Sequence, residues 1–105
     1  MSIVEQSAGR EALLRAAVNI PQHVVYRSFA QETVVLNLQT GTYHGLNQTA
    51  GRMLEVLEEK PSVALAARTL ADEFRRPVNE IESDLAQFCD QLAARGLLEI
   101  EGPTA

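Results

Sequence analysis

The sequence predicts an α+β fold: a three-stranded antiparallel β-meander followed by three helices, in a winged helix-turn-helix-like order. Three observations carry this. The run Val34-Val35-Leu36 is apolar and mostly β-branched, the composition of a strand. Thr40-Gly41 supplies a turn, and Thr42 to Leu46 follows as another short extended segment. Behind Asn47, a residue type suited to cap a helix, three amphipathic segments run to Gly96. A meander this small cannot bury its own face, so helices must cover it.

Each element has a local reason. Met1 to Gly9 is polar and small with no period, and reads as a mobile tail. Arg10 to Val18 holds strong helix formers. It reads either as a short helix or as an arm that orders on a partner, and both readings stand. Ile20-Pro21 breaks any helix, because the residue before proline avoids the α region. The expected division is therefore an N-terminal arm over 1–19, flexible or short-helical, a domain over 20–101 and a tail over 102–105.

Within the domain, His23 to Arg27 reads as the first strand and Glu32 to Leu38 as the second. Alternation puts Val34, Leu36 and Leu38 on one face, Val35 and Asn37 on the other. The short Gln39-Thr40-Gly41 link suits a hairpin to the third strand, Thr42 to Leu46. Gln48 to Glu59 places Ala50, Met53, Leu54 and Leu57 on one helical stripe. Ser62 caps a second helix running to about Phe74, with Leu65, Ala66, Leu70 and Phe74 expected inward. The third helix begins near Val78-Asn79. Its Ile81, Leu85, Phe88 and Leu92 form a core stripe, and Gly96 stands as its C′ residue. Leu97 to Ile100 is apolar enough to return as a short extended segment.

Composition narrows the function. The chain has 105 residues, enough for one small domain. It is 46% hydrophobic and 22% charged, so a packed core is expected rather than disorder. A formal net charge of −5 argues against non-specific contact with nucleic acid or an anionic membrane. Cys89 is the only cysteine, which excludes an internal disulfide and fits a reducing, cytoplasmic setting. No apolar run is long enough to span a bilayer.

Catalytic chemistry is not legible in the chain. His23 and His44 lack partners at metal-ligand spacing, so neither metal nor cofactor is expected. Cys89 lies beside Phe88 on a core-facing helix and reads as an inert thiol. Glu80, Glu82 and Asp84 fall in the first turns of a helix, where negative charge complements the dipole. No constellation supports an enzyme. What remains is a binding surface. The third strand has no Lys and no Pro to blunt its edge, and Gly45 leaves one side chain absent. That glycine either admits an incoming peptide or lets a helix pack tightly.

The pattern T-G-x-Y-x-x-L-N-x-T-A at Thr40 to Ala50, with three helices behind it, resembles the pyrroloquinoline quinone biosynthesis protein D family. That family is the archetype of recognition domains for ribosomally made, modified peptides, and includes leader-binding proteins of lasso-peptide clusters. The match covers roughly Pro21 to Ile100. The resemblance implies an adaptor that captures a precursor's leader peptide by strand addition. It would present that leader to a maturation enzyme: a radical SAM enzyme, a leader peptidase or a cyclase. It further implies that Thr42, Tyr43, His44, Gly45 and Leu46 pair with the leader and floor its groove. Asp84, Gln87, Phe88, Gln91 and Arg95 would form the other wall. Asn47 is a cap rather than a contact.

Two other functions compete. A winged-helix DNA-binding regulator would need bases read by Arg, Lys, Asn or Gln with basic flanks. The third helix instead carries acids at its start and Arg95 at its far end. A dimerising structural subunit would pair edge strands between copies, giving a homodimer.

Overall fold

The computed structural model describes residues 10–101. The expected mobile tail over 1–9 and the tail over 102–105 lie outside them. Residues 10–15 are helical (α1). Then come β1 (Ala17–Asn19), β2 (Val24–Ser28), β3 (Glu32–Asn37), β4 (Thr42–Asn47), α2 (Gln48–Glu59), α3 (Val63–Phe74), α4 (Val78–Ala94) and β5 (Glu99–Glu101). Strands β2, β3 and β4 form the antiparallel meander, in that order, and the helices cover one face of it. This is the predicted α+β architecture.

The strands alternate as β-branched sequences do when one face is buried. Val24, Thr33, Val35, Asn37 and Leu46 point inward and are buried. Val25, Val34, Leu36 and Tyr43 therefore point to the other face. In the β3–β4 hairpin the Asn37 side chain sets the turn: its Oδ1 accepts from the backbone N–H of Gln39 at 2.9 Å and of Thr40 at 3.3 Å. Gly41, at φ +73°, then closes the loop with a bond to the Asn37 carbonyl of 2.7 Å. A non-glycine residue is strained at that φ.

Helix α2 begins where Asn47 caps it, with its Oδ1 2.8 Å from the Ala50 N–H. Ser62 caps α3 through the Leu65 N–H at 3.2 Å. Helix α3 stops at Arg75, which takes a left-handed φ of 56°. Helix α4 ends as predicted, with Gly96 at φ +73° and the Leu97 N–H bonded back to the Leu92 carbonyl at 2.9 Å. The core joins Leu54, Leu57, Leu70, Leu85 and Leu97 with Val35 from the sheet. Helix α2 contributes Val56 as well as the predicted stripe. Periodicity places Leu65 inward; it is instead 40% exposed, because Val63, Ala66, Ala67 and Leu70 already fill the buried face of α3.

The N-terminal segment contributes to the fold through its described residues. Leu13 and Ala16 are buried in the core, and the Ala16 carbonyl accepts from the Val63 N–H at 3.0 Å. Strand β1 pairs antiparallel with β5, Ala17 opposite Glu101 and Asn19 opposite Glu99. The Asn19 amide donates to Glu99 at 2.9 Å. Beside this pair, His23 Nε2 donates to the Gly96 carbonyl at 3.1 Å and ties the start of the meander to the end of α4.

Candidate functional site

The candidate site is the outer edge of β4, and its hydrogen-bonding capacity follows from the register. The Leu38 N–H bonds the His23 carbonyl at 2.6 Å, and the Phe29 N–H bonds the Glu32 carbonyl at 2.7 Å. In an antiparallel ladder every second residue turns its N–H and C=O to the same neighbour. Residues 32, 34, 36 and 38 of the second strand therefore face β2, and Thr33, Val35 and Asn37 face β4. Their partners are Leu46, His44 and Thr42. Tyr43 and Gly45 are left with N–H and C=O directed away from the sheet, where β4 has no neighbouring strand among the described residues. An unblunted edge of this kind accepts an added strand.

Side chains alternate along the same edge. His44 and Leu46 point to the helix side, half-buried and buried. Tyr43, 73% exposed, and Gly45 point to the open face. A Cβ at Gly45 would meet only the Glu32 carboxylate, at 3.4 Å, so no helix packs on this glycine. The tight approach occurs at Gly51 of α2 instead. A Cβ there would lie 2.9 Å from the Thr33 Cβ and collide with the Thr33 hydroxyl.

The residues placed on the other wall lie along α4. Asp84, Gln87, Gln91 and Arg95 recur at +3, +7 and +11, form one stripe and are exposed. Asp84 is engaged by Arg76 at 3.3 Å, and Arg76 also holds Glu80 at 3.1 Å. These bonds keep the Arg76 guanidinium firmly protonated, the Glu80 hydrogen bond first among causes. Phe88 differs from its companions: it is 8% exposed and belongs to the core cluster. Strand β4 packs on α2, and α4 packs on α3 and β5.

Two concavities flank the meander. One, of about 420 Å³, is lined by Phe29, Thr33, Gln48, Arg52, Glu55 and Glu73 among others. Arg52 there is committed to Glu73 by bonds of 2.8, 2.9 and 3.1 Å. The guanidinium holds the Glu73 carboxyl below its usual range and is itself raised by the bond. The other concavity, about 370 Å³, lies on the open face between Val25, Arg27, Phe29, Val34, Leu36 and Tyr43. The sequence places Val34 and Leu36 on a common face, but not that this face stays open. On the covered side the Tyr26 hydroxyl donates to Glu58 at 2.5 Å, and burial and that carboxylate raise its pKa.

Nucleophilic chemistry has no footing at Cys89. The thiol is fully buried, and burial, with a smaller effect of Asp90, pushes its pKa up to about 12. Among the described residues no cluster of His, Cys, Asp and Glu is arranged to hold a metal ion. No helix among them is long and apolar enough to cross a membrane.

A helix-backed antiparallel meander with an uncharged edge strand defines an α+β domain with the element order of a winged helix. The chain belongs to the coenzyme PQQ synthesis protein D family, whose profile matches residues 32–98. It is similar to the solved structure of TbiB1 in complex with the TbiA(beta) leader peptide. That structure is 34% identical, with a TM-score of 0.71, and the likeness covers 77% of this chain and 94% of that one. A lasso peptide synthetase B1 complexed with the leader peptide shares the fold at 24% identity and a TM-score of 0.72, covering 80% of this chain and 99% of that one. No curated protein matches the chain.

Proposed function

We infer that this chain is a leader-peptide-binding adaptor. It takes the leader of a ribosomally made precursor as an added strand at β4 and presents it to a maturation enzyme. The observation that carries this is the edge: among the described residues the outward backbone groups of Tyr43 and Gly45 have no strand to pair with. Family membership and the leader complexes of similar proteins support the same reading. Thr42, Tyr43, His44, Gly45 and Leu46 supply the edge and its flanks. Asp84, Gln87, Gln91 and Arg95 offer polar contacts from α4, and Phe88 supports that wall from the core. The enzyme partner is a radical SAM enzyme, a leader peptidase or a cyclase. The adaptor itself carries out no reaction and works in the cytoplasm, where its single thiol stays reduced.

The test is fluorescence anisotropy with a labelled leader from the precursor gene beside this chain's own gene. Saturable binding that survives moderate salt is expected. Tyr43→Pro removes an outward N–H while sparing the β3–β4 ladder, as edge proline can. It should weaken binding at least ~10-fold in a folded protein, the loss expected for about 1.4 kcal/mol. Unchanged affinity in a folded Tyr43→Pro protein would exclude strand addition at this edge. Light scattering with and without peptide separates this reading from self-pairing of the edge, since a homodimer through β4 would dissociate on binding.

A further inference from the structure

We propose that the bound strand is read by a side chain on the open face of the sheet as well as through its backbone. The peptide residue opposite Gly45 carries a large aromatic or aliphatic side chain, and this side chain fills the notch that Gly45 leaves beside Tyr43 and Val34. The inference rests on β4 being the peptide-accepting edge.

Register defines the notch. Arg27, Val34 and Gly45 form one cross-strand row on the open face, and Val25, Leu36 and Tyr43 form the next. A strand added beside β4 extends both rows by one residue. Cross-strand neighbours stand on the same face with Cβ atoms ~4.5–5.5 Å apart. The peptide residue opposite Gly45 therefore projects onto the open face. Gly45 sets no side chain beside it, the end of the flexible Glu32 side chain being the nearest, and Val34 is its next neighbour in the row about two strand spacings away, ~9.5 Å. An alanine there leaves the gap empty. A phenylalanine, tyrosine or leucine lies across the glycine toward the Val34 methyls, with the exposed ring of Tyr43 as its flank.

The chain's own packing does not call for a glycine at this position. Its φ is outside the left-handed region, and the only atom near an added Cβ is the end of the flexible Glu32 side chain, at 3.4 Å. A glycine inside a strand weakens it, and a large side chain on the neighbouring strand restores the lost packing. The apolar concavity of about 370 Å³ begins at Tyr43 and Val34, so the notch opens onto a surface already suited to an apolar side chain.

The test couples two series in one anisotropy assay with the same labelled leader. Each apolar leader residue is changed to Ala, and each peptide is titrated against the unaltered chain, Gly45→Ala and Gly45→Val. Thermal melts show that the variants fold, and Gly45→Ala is retained should Gly45→Val not. On the unaltered chain, one aromatic or aliphatic position should lose ~5–10-fold in affinity on change to Ala, the scale of an aromatic cross-strand pair. Filling the notch should remove that preference: the parent leader weakens by a similar factor, and the alanine leader binds all chains alike. Equal weakening of both peptides by Gly45→Val, or no effect on either, would overturn the notch while leaving edge binding intact. A leader that fails to bind the unaltered chain would overturn the edge itself.

Discussion

The two faces of the three-stranded sheet are made of similar residues and have opposite fates. On one face Val24, Val35 and Leu46 are buried under the helices. On the other, Val25 is 47% and Tyr43 73% exposed, with Val34 and Leu36 half-buried beside them. A sheet with one solvated face ordinarily alternates apolar and polar residues. Here both faces of β3 are apolar through Val34-Val35-Leu36. The contrast teaches that apolar character gives the propensity to be covered, while the connection into α2 decides which face is covered by this chain. The uncovered apolar face adjoins the β4 edge, whose outward backbone groups pair with no strand among the described residues, so the surface left open there is a continuous one.

The sharpest way to break the comparison is to truncate each face in turn. Val35→Ala should cost about 2 kcal/mol from lost burial and an unfilled cavity. Leu36→Ala on the open face should cost less than about 1 kcal/mol, and urea denaturation measures both. Comparable losses would mean that the open face is covered in solution. The two glycines sharpen the same contrast. Gly51→Ala drives a methyl into Thr33 across the α2–β3 contact and should cost about 1–3 kcal/mol. Gly45→Ala meets only the end of the flexible Glu32 side chain, at 3.4 Å, and should change stability by no more than about 0.5 kcal/mol.

Next in size is the joint between edge and helix. Asn47→Ala removes the cap on Ala50 and should cost about 1 kcal/mol, read as a lower melting temperature with leader affinity per folded molecule retained. The smallest effect is at the Arg52–Glu73 pair. Both side chains are more than a third exposed, so water screens it and Glu73→Gln should cost no more than about 0.5–1 kcal/mol. Its pH dependence has a definite sign. The folded protein holds Glu73 below its ordinary pKa of 4.5. The contribution is complete above that value and fades as pH falls through the lowered folded one. Stability of the parent and of Glu73→Gln should therefore converge in acid. Cys89 provides a probe without mutation: its thiol should react with a disulfide reagent at pH 8 only as fast as the protein opens.

Much of the fold is legible because its signals are local. Asn47 and Ser62 announce helix starts through side chains that reach their own backbone. Ile81, Leu85, Phe88 and Leu92 announce a buried stripe by spacing alone, and each is buried. The sequence is silent where partners are distant. Strand β1 is three residues without a strand signature, and it exists because β5 lies beside it, some 80 positions further along the chain. Leu65 follows the helical period but sits at the margin of a face that smaller residues fill. At the site, the absence of Lys and Pro marks β4 as an open edge. The outward direction of Tyr43 and Gly45 depends on how β2, β3 and β4 align, and that register is set by tertiary packing.

By itself, then, the sequence determined the order of strands and helices, their caps and turns, and the composition of an edge without gatekeepers. These are matters of residue chemistry within a few positions, and side chains that bond their own backbone act alike in any context. Only the tertiary structure decided which apolar face of the sheet is covered, that Gly51 rather than Gly45 lets a helix approach, and that Leu65 sits at the margin of the buried face. Those outcomes depend on which surfaces meet, and burial is awarded by the geometry of the whole chain rather than by any segment of it.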